Sequence, residues 1–208
     1  MTSAPVSGAE GYAAEAEELF RRYEAIPAAE AHRPVLHLIP AVTSRILDIG
    51  SGTGRDAAWL ASLGHRVVAV EPTDAMRIPA MALHPSPAIE WLNDSLPDLA
   101  LLQTRGEQFD VVMLTAVWMH LDEAQRRRAM PHLGTLVRTG GVLIMKIRSG
   151  PVPAGRRMFE ISPEETIKLA RMEGLHPLLN LRTESGGEQN RAAGVSWINL
   201  AFAKGEIA

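Results

Sequence analysis

There is no cysteine in the chain. Disulfides and thiolate chemistry are therefore excluded, although this absence fixes no cellular compartment. No apolar run reaches the roughly 18 residues that a membrane-spanning helix needs. The opening residues, MTSAPVSGAEG, have neither a basic start nor an apolar segment, so they do not read as a signal peptide. The cytoplasm is the expected compartment. A dominant charge is missing too. The formal net charge is only −3, so no global field favours nucleic acid or an anionic membrane, and neither is an expected partner. Internal repeats and a second domain are also absent. What is present is ordinary for a soluble protein. The 208 residues, 46% hydrophobic and 22% charged, suffice for one domain with one core. Residues 1–11 are small and polar and read as flexible.

The strongest local signal is RILDIGSGTGRDAAWLASLGHRVVAVEPTDAM, residues 45–76. Ile46, Leu47 and Ile49 form a short apolar run that stops at glycines, as a buried strand entering a tight turn does. Gly50, Gly52 and Gly54 alternate with Ser51 and Thr53, and glycine permits positive φ and a close approach to the backbone. A helical pattern follows from Arg55 to Leu63, closed by Gly64. A second apolar run, Val67 to Val70, ends at Glu71. This is a βαβ unit with a glycine-rich first turn and an acid about 20 residues on, the layout of a nucleoside-cofactor site. The glycine spacing names the cofactor class. A dinucleotide fingerprint needs a third glycine at position 55, where this chain has Arg55. Asp48, just before the turn, would repel a pyrophosphate and suits an ammonium group. Glu71 suits a ribose diol, because a carboxylate accepts from both hydroxyls. Ammonium, ribose and adenine together point to S-adenosylmethionine.

The segments DIGSGTG and VVAVE resemble the first motif and the second-strand acid of the class I S-adenosylmethionine-dependent methyltransferases. The resemblance extends over roughly residues 35–205 and implies a single α/β Rossmann-like domain. Its sheet would have seven mostly parallel strands, the last antiparallel, with helices on both faces. It implies that Asp48, Gly50, Ser51, Gly52 and Gly54 hold the methionine part of the cofactor and Glu71 the ribose. Pro72 and Met76 would line the adenine pocket. Asp94, after the third strand, would accept from the adenine amino group, with Ser95 and Leu96 at the ring edge. Residues 12–40 would form an N-terminal helical cap, with Tyr12 and Tyr23 over the sulfonium. No metal is implied. Asp94 or Ser95 also reads as a helix N-cap.

Strands are expected at 88–92, 109–114 and 142–147, and helices at 12–25 and 122–138, the latter kinked or split in two at Pro131; Pro79, Pro85 and Pro87 leave room for only a short helix in 77–87. The methyl group should lie near Thr115 to His120, at the carboxyl end of the fourth strand. His120 reads as a candidate general base or as a buried histidine orienting the loop, and Trp118 as a substrate contact or a core residue. The loop 148–160 carries Arg148 and Arg156, which read as a wall for an anionic or polar substrate or as partners of nearby carboxylates. Arg126 to Arg128 read as a solvated face. Ser162, Pro163 and Glu165 read as a capping box. The polar linker 183–194 is unsuited to a crossover helix, so the last two strands should form an antiparallel hairpin. The expected activity is methyl transfer to an oxygen, nitrogen or sulfur of a small molecule. The alternatives are a non-catalytic cofactor-binding protein and methylation of an RNA or protein. No motif encodes the substrate's identity or an oligomeric state.

Overall fold

A computed structural model describes residues 6–205. The chain begins with two short helices, α1 (Ala16–Glu24) and α2 (Ala28–Ala31), and a 3-10 turn, Arg33–Leu38. It then alternates β1 (Arg45–Ile49), α3 (Arg55–Ser62), β2 (Arg66–Val70), α4 (Asp74–Leu83), β3 (Ile89–Leu92), α5 (Ala100–Arg105) and β4 (Phe109–Thr115). The second half comprises α6 (Glu123–Leu136), β5 (Val137–Ser149), α7 (Pro163–Met172), β6 (Leu175–Glu184), α8 (Glu188–Ala192) and β7 (Ser196–Lys204).

The seven strands form one sheet in the order β3-β2-β1-β4-β5-β7-β6. β1 pairs in parallel with both β2 and β4, and β7 pairs antiparallel with both β5 and β6. Central parallel strands are covered on both faces, which explains their continuous apolar runs. One face of the sheet carries Leu47, Val112, Leu143 and Phe202 against α6 and α7. The other carries Ile46, Val111, Ile144 and Ala201 against α3 and the 3-10 turn, through Leu60 and Val35. The order of strands reverses between β1 and β4, and their carboxyl ends open there onto a crevice.

Several local expectations shift. Residues 6–11 include turns, and a Cβ on Gly8 would lie 3.1 Å from the His120 side chain. Residues 1–5 lie outside the described residues. Pro79 and Pro131 each sit inside a helix that the chain continues through. Asp122 and Gln125 make a reciprocal cap at the start of α6. Ser162 caps α7 by accepting from the Glu165 N–H, but the Glu165 carboxylate turns away to the buried Arg126 guanidinium. Arg126 is thus not part of a solvated face, unlike Arg127 and Arg128.

Candidate functional site

The glycine turn follows β1, a strand paired on both edges. Gly50, Gly52 and Gly54 all have positive φ. The Gly50 and Ser51 N–H groups both donate to the Val70 carbonyl, at 2.8 and 2.9 Å, which ties the turn to the end of β2. Two of these positions differ in what surrounds them. A Cβ on Gly50 would meet Val117 Cγ2 at 2.4 Å, whereas one on Gly52 would meet nothing within 4 Å. The outer side of the turn is therefore open.

Asp48 is the last inward side chain of β1 before the turn and is buried. Its Oδ2 has no hydrogen-bond partner among the described residues, and neither does Ser51 Oγ. Burial holds the Asp48 carboxyl well above the usual carboxylate range. The Asp56 charge adds to this, Arg55 opposes it, and Glu71 adds further. A buried carboxylate without a partner is costly, so such a group calls for a cation or donor. Glu71 closes the turn from the β2 side. Its Oε2 accepts from the Gly52 N–H at 3.0 Å and its Oε1 from the Thr73 N–H at 2.8 Å. Burial raises this carboxyl too, against those backbone donors.

The remaining residues expected around a base divide. Pro72 and Ser95 are half-buried. Met76 is 1% exposed, packed inside from α4, so it forms core and not the surface of an open pocket. Leu96 is likewise buried. Asp94 accepts from the Ser95 N–H at 2.9 Å through Oδ1, and from Leu101 and Leu102 through Oδ2 at 3.0 and 3.1 Å. It satisfies the open N–H groups of α5 although the helix begins only at Ala100. The capping reading is right in kind, but the loop between them carries the carboxylate to the helix.

At the end of β4, Thr115 is half-buried beside Lys146 of β5. His120 follows in a 3-10 turn, Trp118–His120, and is 5% exposed. Its Nδ1 lies 2.7 Å from the Arg157 carbonyl and its Nε2 lies 3.0 Å from the Tyr12 hydroxyl. A carbonyl only accepts, so Nδ1 carries the proton and Nε2 accepts from the tyrosine. Burial lowers the His120 pKa below its ordinary value, the Arg157 carbonyl opposing, and so favours this neutral form. Burial also raises the Tyr12 phenol far above its usual range, with Tyr23 next among the causes; Glu71 also acts on it. Tyr12 thus reaches the site from the N-terminal segment. One face of its ring is already covered by the Arg156 guanidinium, 4.0 Å from the centroid, and is closed to a second cation.

Two candidate substrate residues have partners within the protein. Trp118 is fully buried, and its indole N–H donates to Thr166 Oγ1 at 3.2 Å, so it anchors α7 and faces no substrate. Arg156 pairs with Glu15 at 2.8 Å and donates to the Glu10 carbonyl. Beside it, Arg157 donates to Ser7, Gln125 and Asp122. These arginines pin the N-terminal segment to the loop after β5 and form its closure over the crevice. Arg148 has no such carboxylate and donates to the Pro151 carbonyl at 2.6 Å.

Two features went unread in the sequence. His32 Nε2 lies 2.7 Å from Asp56 Oδ2, with Arg55 on the other carboxylate oxygen at 2.7 Å, so α3 is tied to the N-terminal cap. Lys146 is half-buried at an inward position of β5. A lysine within the otherwise apolar run of residues 142–147 was the available signal.

Comparison with known proteins accounts for this arrangement. Residues 46–141 match the family model described as a methyltransferase domain. That segment includes β1 to β4, the glycine turn, Glu71, Asp94 and His120.

The chain carries a methyltransferase domain.

An uncharacterised methyltransferase of Mycobacterium tuberculosis is 35% identical over 113 residues, which is 51% of this chain and 40% of the relative. The glycine N-methyltransferase of Oryctolagus cuniculus is 30% identical over 137 residues, 55% of this chain and 46% of that enzyme. The chain thus spans less than half the length of these curated relatives. Among solved structures, the 1,6-didemethyltoxoflavin-N1-methyltransferase of Burkholderia thailandensis, crystallised with S-adenosylhomocysteine, superposes with a TM-score of 0.71 at 19% identity. The match covers 99% of this chain and 94% of that one. The methyltransferase fold, with its Rossmann-like sheet and antiparallel last strand, therefore extends over the whole domain. No helix among the described residues is long and apolar enough to cross a membrane.

Proposed function

We propose that this methyltransferase domain transfers the methyl group of S-adenosylmethionine to an oxygen, nitrogen or sulfur of a small molecule. One observation carries the reading: Asp48 is buried with an unpartnered Oδ2 beside an open turn of positive-φ glycines. That combination fits a ligand bringing a cation and needing close backbone approach. A 19%-identical structural neighbour holds S-adenosylhomocysteine within the same fold, which agrees.

In this reading Asp48 and Ser51 take the cofactor's ammonium, and the outer side of Gly52 takes its chain. Glu71 takes the ribose hydroxyls, and Asp94 lies toward the adenine, with Pro72 and Ser95 beside it. When bound, the cofactor supplies a methyl carbon already activated by a sulfonium, whose departure leaves a neutral thioether. The protein's part is to align, to exclude water and, for a hydroxyl or protonated amine, to remove a proton. The N-terminal segment and the loop after β5 exclude water, held by Arg156 and Arg157. The Tyr12 hydroxyl and His120 form a proton path. The tyrosine oxygen receives the acceptor's proton as its own passes to the free lone pair of Nε2, and Nδ1–H on the Arg157 carbonyl holds the ring in place.

Calorimetric titration with S-adenosylmethionine, S-adenosylhomocysteine and NADH tests the assignment. Micromolar binding of both adenosyl compounds and none of NADH is expected; binding of NADH alone would overturn it. A screen of hydroxyl, amine and thiol acceptors then tests turnover. Tight cofactor binding with no turnover on any of them would favour a non-catalytic role or a macromolecular acceptor.

A further inference from the structure

Cations around the crevice are mostly matched by carboxylates: Arg55 by Asp56, Arg77 by Asp74, Arg156 by Glu15 and Arg157 by Asp122. Two are not. Among the described residues, no carboxylate oxygen lies within 4.0 Å of Lys146 Nζ or of the Arg148 guanidinium. Lys146 donates to the Ala31 carbonyl at 2.6 Å, with its Nζ 4.9 Å from the centroid of the Trp197 ring. Arg148 donates only to carbonyls of its own loop, Pro151 at 2.6 Å and Gly150 at 3.5 Å.

Their placement joins them to the site. Positions two apart on a strand share a face, so Lys146 and Arg148 continue the face of Ile144, which packs with Ile46 and Met113. Asp48 continues that same face on β1, and Thr115 on β4. Asp48 pairs with Met113 and Met113 with Ile144. Lys146 therefore lies two strands from Asp48, about 10 Å across, and two residues, about 7 Å, farther toward the carboxyl edge. Tyr23 and Tyr12, from the N-terminal cap, lie near enough to Arg148 to act on its charge. Burial lowers the Lys146 ammonium to about 8, Asp56 opposing. Neither cation has the partner that half-burial normally demands.

We propose that Lys146 and Arg148 form a carboxylate-binding pair at the carboxyl edge of the sheet, on the acceptor side of Asp48. This inference rests on the methyl-transfer reading and deepens it. A monoanionic carboxylate fits better than a phosphate. The arginine fork matches its two oxygens, and Asp48 on the same face disfavours a dianion while suiting an α-amino acid. The carboxylate belongs either to the methionine end of the cofactor or to the acceptor, and the test separates them.

Calorimetry would use S-adenosylhomocysteine, which has the amino-acid group, and 5′-methylthioadenosine, which lacks it. The proteins are the full chain, Lys146→Met, Arg148→Met and, as the conservative control, Lys146→Arg. Loss of at least tenfold in S-adenosylhomocysteine affinity in both Met variants, with 5′-methylthioadenosine unchanged, supports the pair and assigns it to the cofactor. If both adenosyl affinities are unchanged, acetate is titrated into the S-adenosylhomocysteine complex while the Trp197 indole resonance is followed. Saturable shifts abolished in both Met variants then support the pair and assign it to the acceptor. No change in either arm overturns it. Should the wild type bind neither adenosyl compound, the methyl-transfer reading fails, and acetate titration of the free protein decides the anion pair alone. If Lys146→Met does not fold, Arg148→Met carries the comparison, with Lys146→Arg as the control that keeps the charge.

Discussion

Asp48→Asn should make the protein more stable without cofactor and reduce what it gains from binding one. The substitution keeps the shape of the side chain and removes only its ability to ionise. In the folded chain the Asp48 carboxyl titrates above its unfolded value, chiefly through burial. A raised carboxyl contributes stability that is complete below the unfolded pKa, near 4. That stability is lost as pH rises through the folded value, because the native state then binds more protons than the unfolded one. Asparagine does not titrate, so its advantage should grow with pH and vanish near pH 4. A buried polar group left unsatisfied costs about 1–3 kcal/mol. For a chain of this size that corresponds to roughly 2–12 °C in Tm at pH 8. Cofactor binding should weaken by about 10- to 150-fold, the worth of a charge-assisted hydrogen bond of about 1.5–3 kcal/mol. At a ligand concentration of about 100 Kd, the wild type gains about 2.7 kcal/mol on binding. A variant weakened about a hundredfold gains only about 0.4 kcal/mol at that concentration. Adding S-adenosylhomocysteine should therefore shift the difference by about 2.3 kcal/mol in favour of the wild type. Melts at pH 5 and pH 8, with and without this ligand, read both effects. An Asn variant that melts below the wild type at pH 8 without ligand, or that binds the ligand equally well, would refute the reasoning.

The two central glycines should respond differently. Gly50→Ala combines left-handed backbone strain with a Cβ 2.4 Å from Val117, and should cost about 2–5 kcal/mol in a urea melt. Gly52→Ala has open space before it and should cost only about 1–2 kcal/mol, yet lose S-adenosylhomocysteine affinity in calorimetry. Because burial lowers the His120 pKa, the unfolded state takes up its proton first. Stability should therefore fall as pH drops below about 6.5, and His120→Asn should flatten that slope between pH 5 and 7. Trp118→Phe loses the bond to Thr166 and should cost about 1–3 kcal/mol; unchanged ligand affinity would bear out its place in the core, and a large loss would contradict it.

The βαβ unit was legible because its signals are local. Glycine spacing, the two apolar runs and the acids at their ends lie within residues 45–76, and steric rules act over that range. The hairpin of β6 and β7 was legible for a similar reason: the linker between them is too short and too polar to cross the sheet. The helix running through Pro79 was not, since tertiary packing outweighs a single lost backbone bond. The side to which Trp118 and Met76 turn was not legible, because spacing along a chain does not say which side of a turn faces solvent. The partners of the charged residues were beyond any local rule. His120 meets Tyr12 across 108 residues, and Arg156 meets Glu15 across 141. Sequence alone determined the fold class and the glycine turn with its acids, through short-range backbone geometry. Only the tertiary structure decided which cations are paired with carboxylates and which, Lys146 and Arg148, are not. Charge pairing is set by distance through space, and the chain brings those groups together only when the sheet has formed.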